Sequence, residues 1–302
     1  MKRVLLVVVL IVAAAMVGLW RSHGGVRAGL NRVVNVARDD KSSGVAAEET
    51  RKSFELNPGD HVEIAGINGF VEIQTSDTKT AEIFVRRTGD NPNSLRRREL
   101  TIERTSTGFM VRSRQRFNGF WDHLFGKDPK EEVTIKAPRQ IALSIRGVNG
   151  RVTSSDIDGS LELKGINGRV EIGEVSDTAQ INGVNGSISV GLGRLGERGV
   201  RIGGVNGPVE LKLAGGLNAD LTAKGMNGNV SSEIPDVTIN RDDGWRRFSV
   251  RIGDGGAPIE IGGVNGNVRL TKLDRETAAT NPNPNPPEKK GSPAQNPGKS
   301  TR

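Results

Sequence analysis

Apolar residues fall on alternate positions in short runs along the chain: Leu161 and Leu163, Val170 and Ile172, Ile188 and Val190, Val200 and Ile202, then Val209, Leu211 and Leu213, and again Ile259 and Ile261. Polar or small residues stand between them, and this period of two predicts strands buried on one face. Two kinds of punctuation separate the runs. One is Gly, an apolar residue, Asn, Gly, written at Gly66 to Gly69, Gly147 to Gly150, Gly165 to Gly168, Gly183 to Gly186, Gly204 to Gly207, Gly225 to Gly228 and Gly263 to Gly266. The other is looser, as in Ser154-Ser155-Asp156-Ile157-Asp158-Gly159 and Gly191-Leu192-Gly193-Arg194. Each unit therefore reads as strand, Asn-Gly corner, strand, loose corner.

Five of the corners follow one another at 18, 18, 21 and 21 residues, and the last interval of 38 reads as about two further periods. Such recurrence predicts a repeat architecture. Two arrangements compete for it. Asn-Gly between alternating strands is a strong hairpin signal, which would give a meander of antiparallel sheets. Pro208 directly follows Asn206-Gly207, where a two-residue hairpin needs an N–H that proline lacks. The preferred reading is therefore an all-β, single-stranded, right-handed β-helix-like β-solenoid. In it Asn68, Asn149, Asn167, Asn185, Asn206, Asn227 and Asn265 stack at one corner and bond to each other along the axis, as asparagine ladders do. Roughly four or five inward apolar side chains per unit, at about 1.5–3 kcal/mol each, do not offset the ordering entropy of some 19 residues, so neighbouring units must share faces. About seven coils are expected between Ile141 and Leu273, a rod on the order of 35 Å long.

The segments outside the repeats follow from composition. Residues 1–21 open with Met1, Lys2 and Arg3, then run uncharged from Val4 to Trp20, which predicts an apolar helix that is either a removed export signal or an uncleaved membrane anchor. Both outcomes place the remainder outside the cytoplasm, in a bacterial cell envelope. Residues 22–53 are mixed and charged and read as a tether. Residues 54–138 carry the first corner and then leave the period, and they are expected to form an N-terminal β cap over the repeats of 139–273. Residues 274–302, with Asn281-Pro282-Asn283-Pro284-Asn285-Pro286-Pro287, read as a disordered tail. The cap segment holds Phe109, Phe117, Phe120, Trp121 and Phe125 beside Arg112, Arg114 and Arg116. Alternate arginines on one strand make a basic stripe, and Arg112, Arg114, Arg116, Phe120 and Trp121 form a candidate surface for anionic glycan or membrane. The competing reading has the aromatics sealing the end of the repeats.

Composition narrows the chemistry. The chain has 302 residues with 40 Gly, 4% aromatics and no Tyr, which argues for a thin repetitive core. It has no Cys, so disulfides, thiolate metal sites and a cysteine nucleophile are excluded. A formal charge of +8 suits an acidic partner and equally suits plain solubility. Glu63, Glu162 and Glu260 each stand three places before a corner, and Glu72, Glu171 and Glu210 recur six places after its first Gly. Carboxylates at equivalent strand positions read as a solvated face with cross-strand charge pairs. His23, His61 and His123 show no metal-ligand spacing. No cofactor, catalytic or nucleic-acid site is expected. Self-association into filaments and a glycan-cleaving β-helix enzyme remain as alternatives to an adhesin-like binding or scaffold module.

Gly66-Ile67-Asn68-Gly69, Gly165-Ile166-Asn167-Gly168 and the strand Val133-Thr134-Ile135-Lys136-Ala137-Pro138 resemble the bacterial auto-transporter adhesin family with a head GIN domain, and the related β-strand-repeat family of unknown function. The resemblance spans roughly Ser53 to Leu273. It implies a right-handed β-helix-like, envelope-located, non-enzymatic protein. The interval of 38 residues, with Arg241-Asp242-Asp243-Gly244-Trp245-Arg246-Arg247 inside it, and the Asn-Pro tail depart from that pattern.

Overall fold

The computed structural model describes residues 36–39, 46–116, 127–235, 237–242 and 247–274. The apolar run of residues 4–20, Phe117, Phe120, Trp121 and Phe125, and the Asn-Pro tail from residue 275 onward lie outside them. Among the described residues no helix is long and apolar enough to cross a membrane.

The described chain is all-β apart from one short helix. It opens with β1 (Val36–Asp39), β2 (Ala46–Glu55), β3 (His61–Ala65), β4 (Gly69–Ser76) and β5 (Thr80–Gly89). The helix α1 (Pro92–Leu95), whose N-cap is Asn91, leads to β6 (Arg98–Thr105), β7 (Gly108–Gln115) and β8 (Lys130–Pro138). The repeats supply β9 (Ala142–Asn149), β10 (Val152–Ser154), β11 (Leu161–Asn167), β12 (Val170–Val175), β13 (Ala179–Asn185), β14 (Ile188–Leu192), β15 (Val200–Asn206) and β16 (Val209–Leu213). The chain continues through β17 (Ala219–Lys224), β18 (Val230–Ser232), β19 (Thr238–Asp242), β20 (Arg247–Ile252), β21 (Ala257–Asn265) and β22 (Val268–Lys272).

These strands form two mixed, open sheets of eleven strands each. The first runs β1-β2-β5-β8-β4-β10-β12-β14-β16-β22-β18, and the second β19-β20-β17-β21-β15-β13-β11-β9-β3-β7-β6. The two strands flanking an Asn-Gly corner never pair with each other. β11 pairs in parallel with β9 and β13, while β12, just past its corner, pairs in parallel with β10 and β14 in the other sheet. The antiparallel hairpin arrangement is therefore absent at these corners. Pro208 shows why: its carbonyl accepts from the Ile188 N–H at 3.0 Å, a bond to the preceding unit, and the N–H it lacks is not asked for.

The core lies between the sheets. Inward residues stack along the pairing direction, for example Leu143, Leu161, Ala179 and Val200 in one row, and the apolar corner residues Ile67, Val148, Ile166, Val184, Val205, Met226 and Val264 are all buried. A stack of like aliphatic side chains at strand spacing fills the interior of the repeats, and the buried aromatics stand towards its two ends, Phe109 stacked on Phe54 at 5.4 Å at one and Phe248 on β20 at the other.

Three sequence expectations change. Of residues 22–53, read as tether, 36–39 form β1 and 46–53 belong to β2, which pairs antiparallel with β1 and, over ten residues, with β5. The first repeat is not separate from the others, because β3 pairs directly with β9 and β4 with β10. The 38-residue interval does not hold an additional unit, so six corners rather than about seven coils lie between Ile141 and Leu273. Instead β19 and β20 pair antiparallel, β20 covers β17, and β21 returns to lie between β15 and β17. The last two repeats thus stand in exchanged order. The antiparallel pair β19–β20 covers the edge of β17 in the second sheet, which a simple stack would leave open, while β18 ends the first sheet.

Candidate functional site

The seven corner asparagines form one continuous ladder. Each Nδ2 donates to the Oδ1 of the neighbour nearer the N-terminal end: Asn149 to Asn68, Asn167 to Asn149, Asn185 to Asn167, Asn206 to Asn185, Asn265 to Asn206 and Asn227 to Asn265, at 3.0–3.2 Å. The series follows the exchanged order of the strands. It begins at Asn68, whose Nδ2 donates to the Pro129 carbonyl at 3.0 Å. The glycines permit this stacking. Gly147 takes a φ of 62°, and a Cβ on Gly150 would stand 1.7 Å from the Gly69 carbonyl oxygen. At the last glycine of each corner the neighbouring backbone lies too close for any side chain, while the first glycine is needed for its left-handed φ.

Beneath the head of the ladder sits a charge cluster that sequence reasoning missed. Glu131, with 0% exposure, accepts from Ser113 Oγ at 2.6 Å and from the Asn68 N–H at 3.1 Å. Arg87 and Arg98 approach its carboxylate at 3.6 Å each. Arg87 also pairs with Glu48 at 2.9 Å, and Arg98 donates to the Gly66 carbonyl and pairs with Asp128 at 3.4 Å. The cluster ties β2, β5, β6, β7 and β8 to the first corner. A buried carboxylate is tolerated here because two guanidiniums, a hydroxyl and a backbone amide satisfy it. The signal was present in the alternation: Glu131 shares the inward face of β8 with Val133, Ile135 and Ala137, and Arg87 continues the inward face of Ala81, Ile83 and Val85.

The outward faces carry the recurrent charges. Glu63 is flanked by Arg112 at 3.3 Å and Arg146 at 3.6 Å, Ser144 donates to Glu162 at 2.9 Å, Ser189 donates to Glu210 at 2.8 Å, and Arg201 pairs with Glu260 at 2.9 Å. Of the expected basic stripe, Arg112 and Arg114 share the outer face of β7. Arg112 is engaged by Glu63, Arg114 lies opposite Glu99 on β6, and Arg116 approaches Glu99 at 3.9 Å. Acidic neighbours therefore meet this stripe. Phe120 and Trp121, its expected aromatic companions, fall outside the described residues. Among the described residues no group of three His, Asp or Glu side chains could hold a metal ion.

No known family profile matches the chain, and no curated protein matches it. Similar solved structures include a "putative cell adhesion protein" from Clostridium sporogenes, at 14% identity over 75% of this chain and 99% of that one, with a TM-score of 0.41. They also include a "putative adhesin" from Bacteroides fragilis (7% identity, 74% and 96% covered, TM-score 0.24) and a "putative lipid binding protein" from Parabacteroides distasonis (11%, 74% and 97%, TM-score 0.26). At such scores the architecture stands on its own strand registers, and the family resemblance stands on its motifs.

Proposed function

We propose that the chain is a β-solenoid of the extracytoplasmic envelope, acting without catalysis as a surface-binding, adhesin-like or scaffold module, and carried there by its N-terminal apolar run. The observation that supports this most is the asparagine ladder. It holds the strands that flank the corners in parallel register in both sheets, so that their outward side chains repeat at about 4.8 Å along the stack. A rigid, laterally periodic surface is suited to a large or polymeric ligand more than to a small one. The export-type N-terminus supplies the compartment.

End-to-end filament assembly is the weaker reading. Three of the four outer strands, β1, β6 and β19, pair antiparallel with their neighbours, and β6 and β19 carry charged side chains that blunt an edge; the fourth, β18, is a three-residue strand paired in parallel with β22, too short to offer a long edge. Membrane fractionation with N-terminal sequencing of the mature protein, followed by retention on isolated peptidoglycan and lipopolysaccharide, tests the proposal. Envelope location with retention is expected; a cytoplasmic protein retained by neither surface overturns it. A reducing-sugar release assay with Glu162→Gln and Asp158→Asn as controls tests the absence of catalysis, and release abolished by either substitution would contradict it.

A further inference from the structure

On the outer face of the second sheet one row of side chains is interrupted. The residue just before the corner motif is Arg146, Lys164 and Asn182 in three successive repeats, Gly203 and Gly262 in two, and Lys224 in another. Register places them side by side as Arg146, Lys164, Asn182, Gly203, Gly262 and Lys224, with Arg247 opposite Lys224 on β20. The two glycines are neighbours only because β21 is inserted between β15 and β17. They floor an open trough of about 580 Å³. Its flanking residues, Asn182 and Lys224, stand three strand spacings apart, about 14 Å.

Backbone geometry does not require either glycine, since neither has a left-handed φ. A Cβ on Gly262 would meet nothing within 4 Å, and one on Gly203 would come closest to the Asn182 side chain, at 2.9 Å. Glycine in a strand interior costs stability and often marks a place where something approaches the backbone closely. The charges point the same way. Arg201 is matched by Glu260 at 2.9 Å and Asp220 by Arg251 at 3.4 Å, whereas Lys224 and Arg247, cross-strand partners of like sign, have no ion pair among the described residues. Asp242 on β19 is Arg247's direct cross-strand partner on the side away from the trough, whereas Lys224 has only Gly262 and Arg247 as row neighbours. Like charges directly opposite one another are unfavourable unless an anion sits between them.

We propose that this trough binds an acidic sugar of a polysaccharide. The C–H face of the ring lies on the Gly203 and Gly262 backbone, its carboxylate or sulfate lies between Lys224 and Arg247, and its hydroxyls reach Asn182 and Thr222. The inference rests on the surface-binding reading above and names its face and ligand class. The trough has no aromatic or large exposed apolar wall, which disfavours a lipid chain or an apolar peptide.

Titration of the full-length protein with polygalacturonate, dextran sulfate and neutral dextran tests it. At least one acidic polymer is expected to bind, weakening with salt, and neutral dextran is expected not to. Gly262→Thr places a side chain on the floor from a Cβ position with nothing within 4 Å, and it should weaken binding about tenfold or more with the melting temperature kept; the Lys224→Gln/Arg247→Gln pair should do the same, while Lys164→Gln on the same row should change it less than about twofold. Unchanged binding in both trough variants, or equal loss in Lys164→Gln, overturns the proposal. A protein retained on peptidoglycan yet indifferent to both acidic polymers removes the trough assignment and leaves the surface-binding reading. Trough-dependent binding by a protein found in the cytoplasm does the reverse.

Discussion

Replacing Asn185 by Ala removes two rungs of the ladder at once. Its Nδ2 donates to Asn167 at 3.2 Å and its Oδ1 accepts from Asn206 at 3.1 Å. The rungs are solvent-exposed, so water satisfies the groups left behind, and each should contribute toward the lower part of the usual range of about 0.5–1.5 kcal/mol. The expected loss is about 1–2 kcal/mol, or a fall of roughly 2–8 °C in Tm for a folded body of about 200 residues. Asn227 stands at the far end, where it donates to Asn265 at 3.0 Å and accepts from no further corner, so Asn227→Ala removes one rung and should cost about half as much. Asn167→Ala and Asn185→Ala share a rung and should be less than additive when combined, by about 0.5–1 kcal/mol. Thermal unfolding followed by circular dichroism, with urea titration as a second measure, reads these differences. Equal losses at Asn185 and Asn227, or none at Asn185, would refute the claim that the carboxamides hold the corners in register.

Glu131→Ala should destabilise by about 3 kcal/mol, the lower end for a broken buried pair, because it leaves buried Arg87 and part-buried Arg98 with only Glu48 and Asp128 as anionic partners; urea unfolding checks this, and a loss below about 1 kcal/mol would show the cluster to be unimportant. Gly150→Ala should abolish soluble folded protein or lower Tm by more than any ladder variant, since its Cβ would stand 1.7 Å from the Gly69 carbonyl oxygen, while Gly215→Ala, with nothing within 4 Å, should be close to neutral. Arg201→Ala, at an exposed pair, should cost less than about 1 kcal/mol and lose even that in high salt.

Local chemistry made much of the fold legible. Alternation at Leu161 and Leu163 or Val209, Leu211 and Leu213 depends only on the pleat, the Asn-Gly corners announce their backbone bend, and Pro208 by itself argues against the hairpin. The exchange of the last two repeats was not legible. An interval of 38 residues is also twice 19, and whether β21 stacks beyond β17 or slips between it and β15 is decided by pairings across as many as 59 residues, as between Arg201 and Glu260. The cluster around Glu131 was hidden because Lys130-Glu131-Glu132 looks solvated, and its partners Asn68 and Ser113 come from the first corner, 63 residues away, and from β7 in the other sheet. The trough was written in the sequence as Gly203-Gly204 and Gly262-Gly263, but its width depends on the exchange that brings them together.

The absence of native cysteine gives the most direct test of the stacking, because any engineered pair reports alone. Under mild oxidation Arg201→Cys with Glu260→Cys, neighbours in parallel register, should form an intramolecular disulfide. Arg201→Cys with Thr222→Cys, separated by the inserted strand, should not. Cross-linking of the second pair but not the first would show the repeats stacked in chain order, and cross-linking of Arg201→Cys with Lys212→Cys, across the corner at Asn206, would replace the parallel stack by a hairpin.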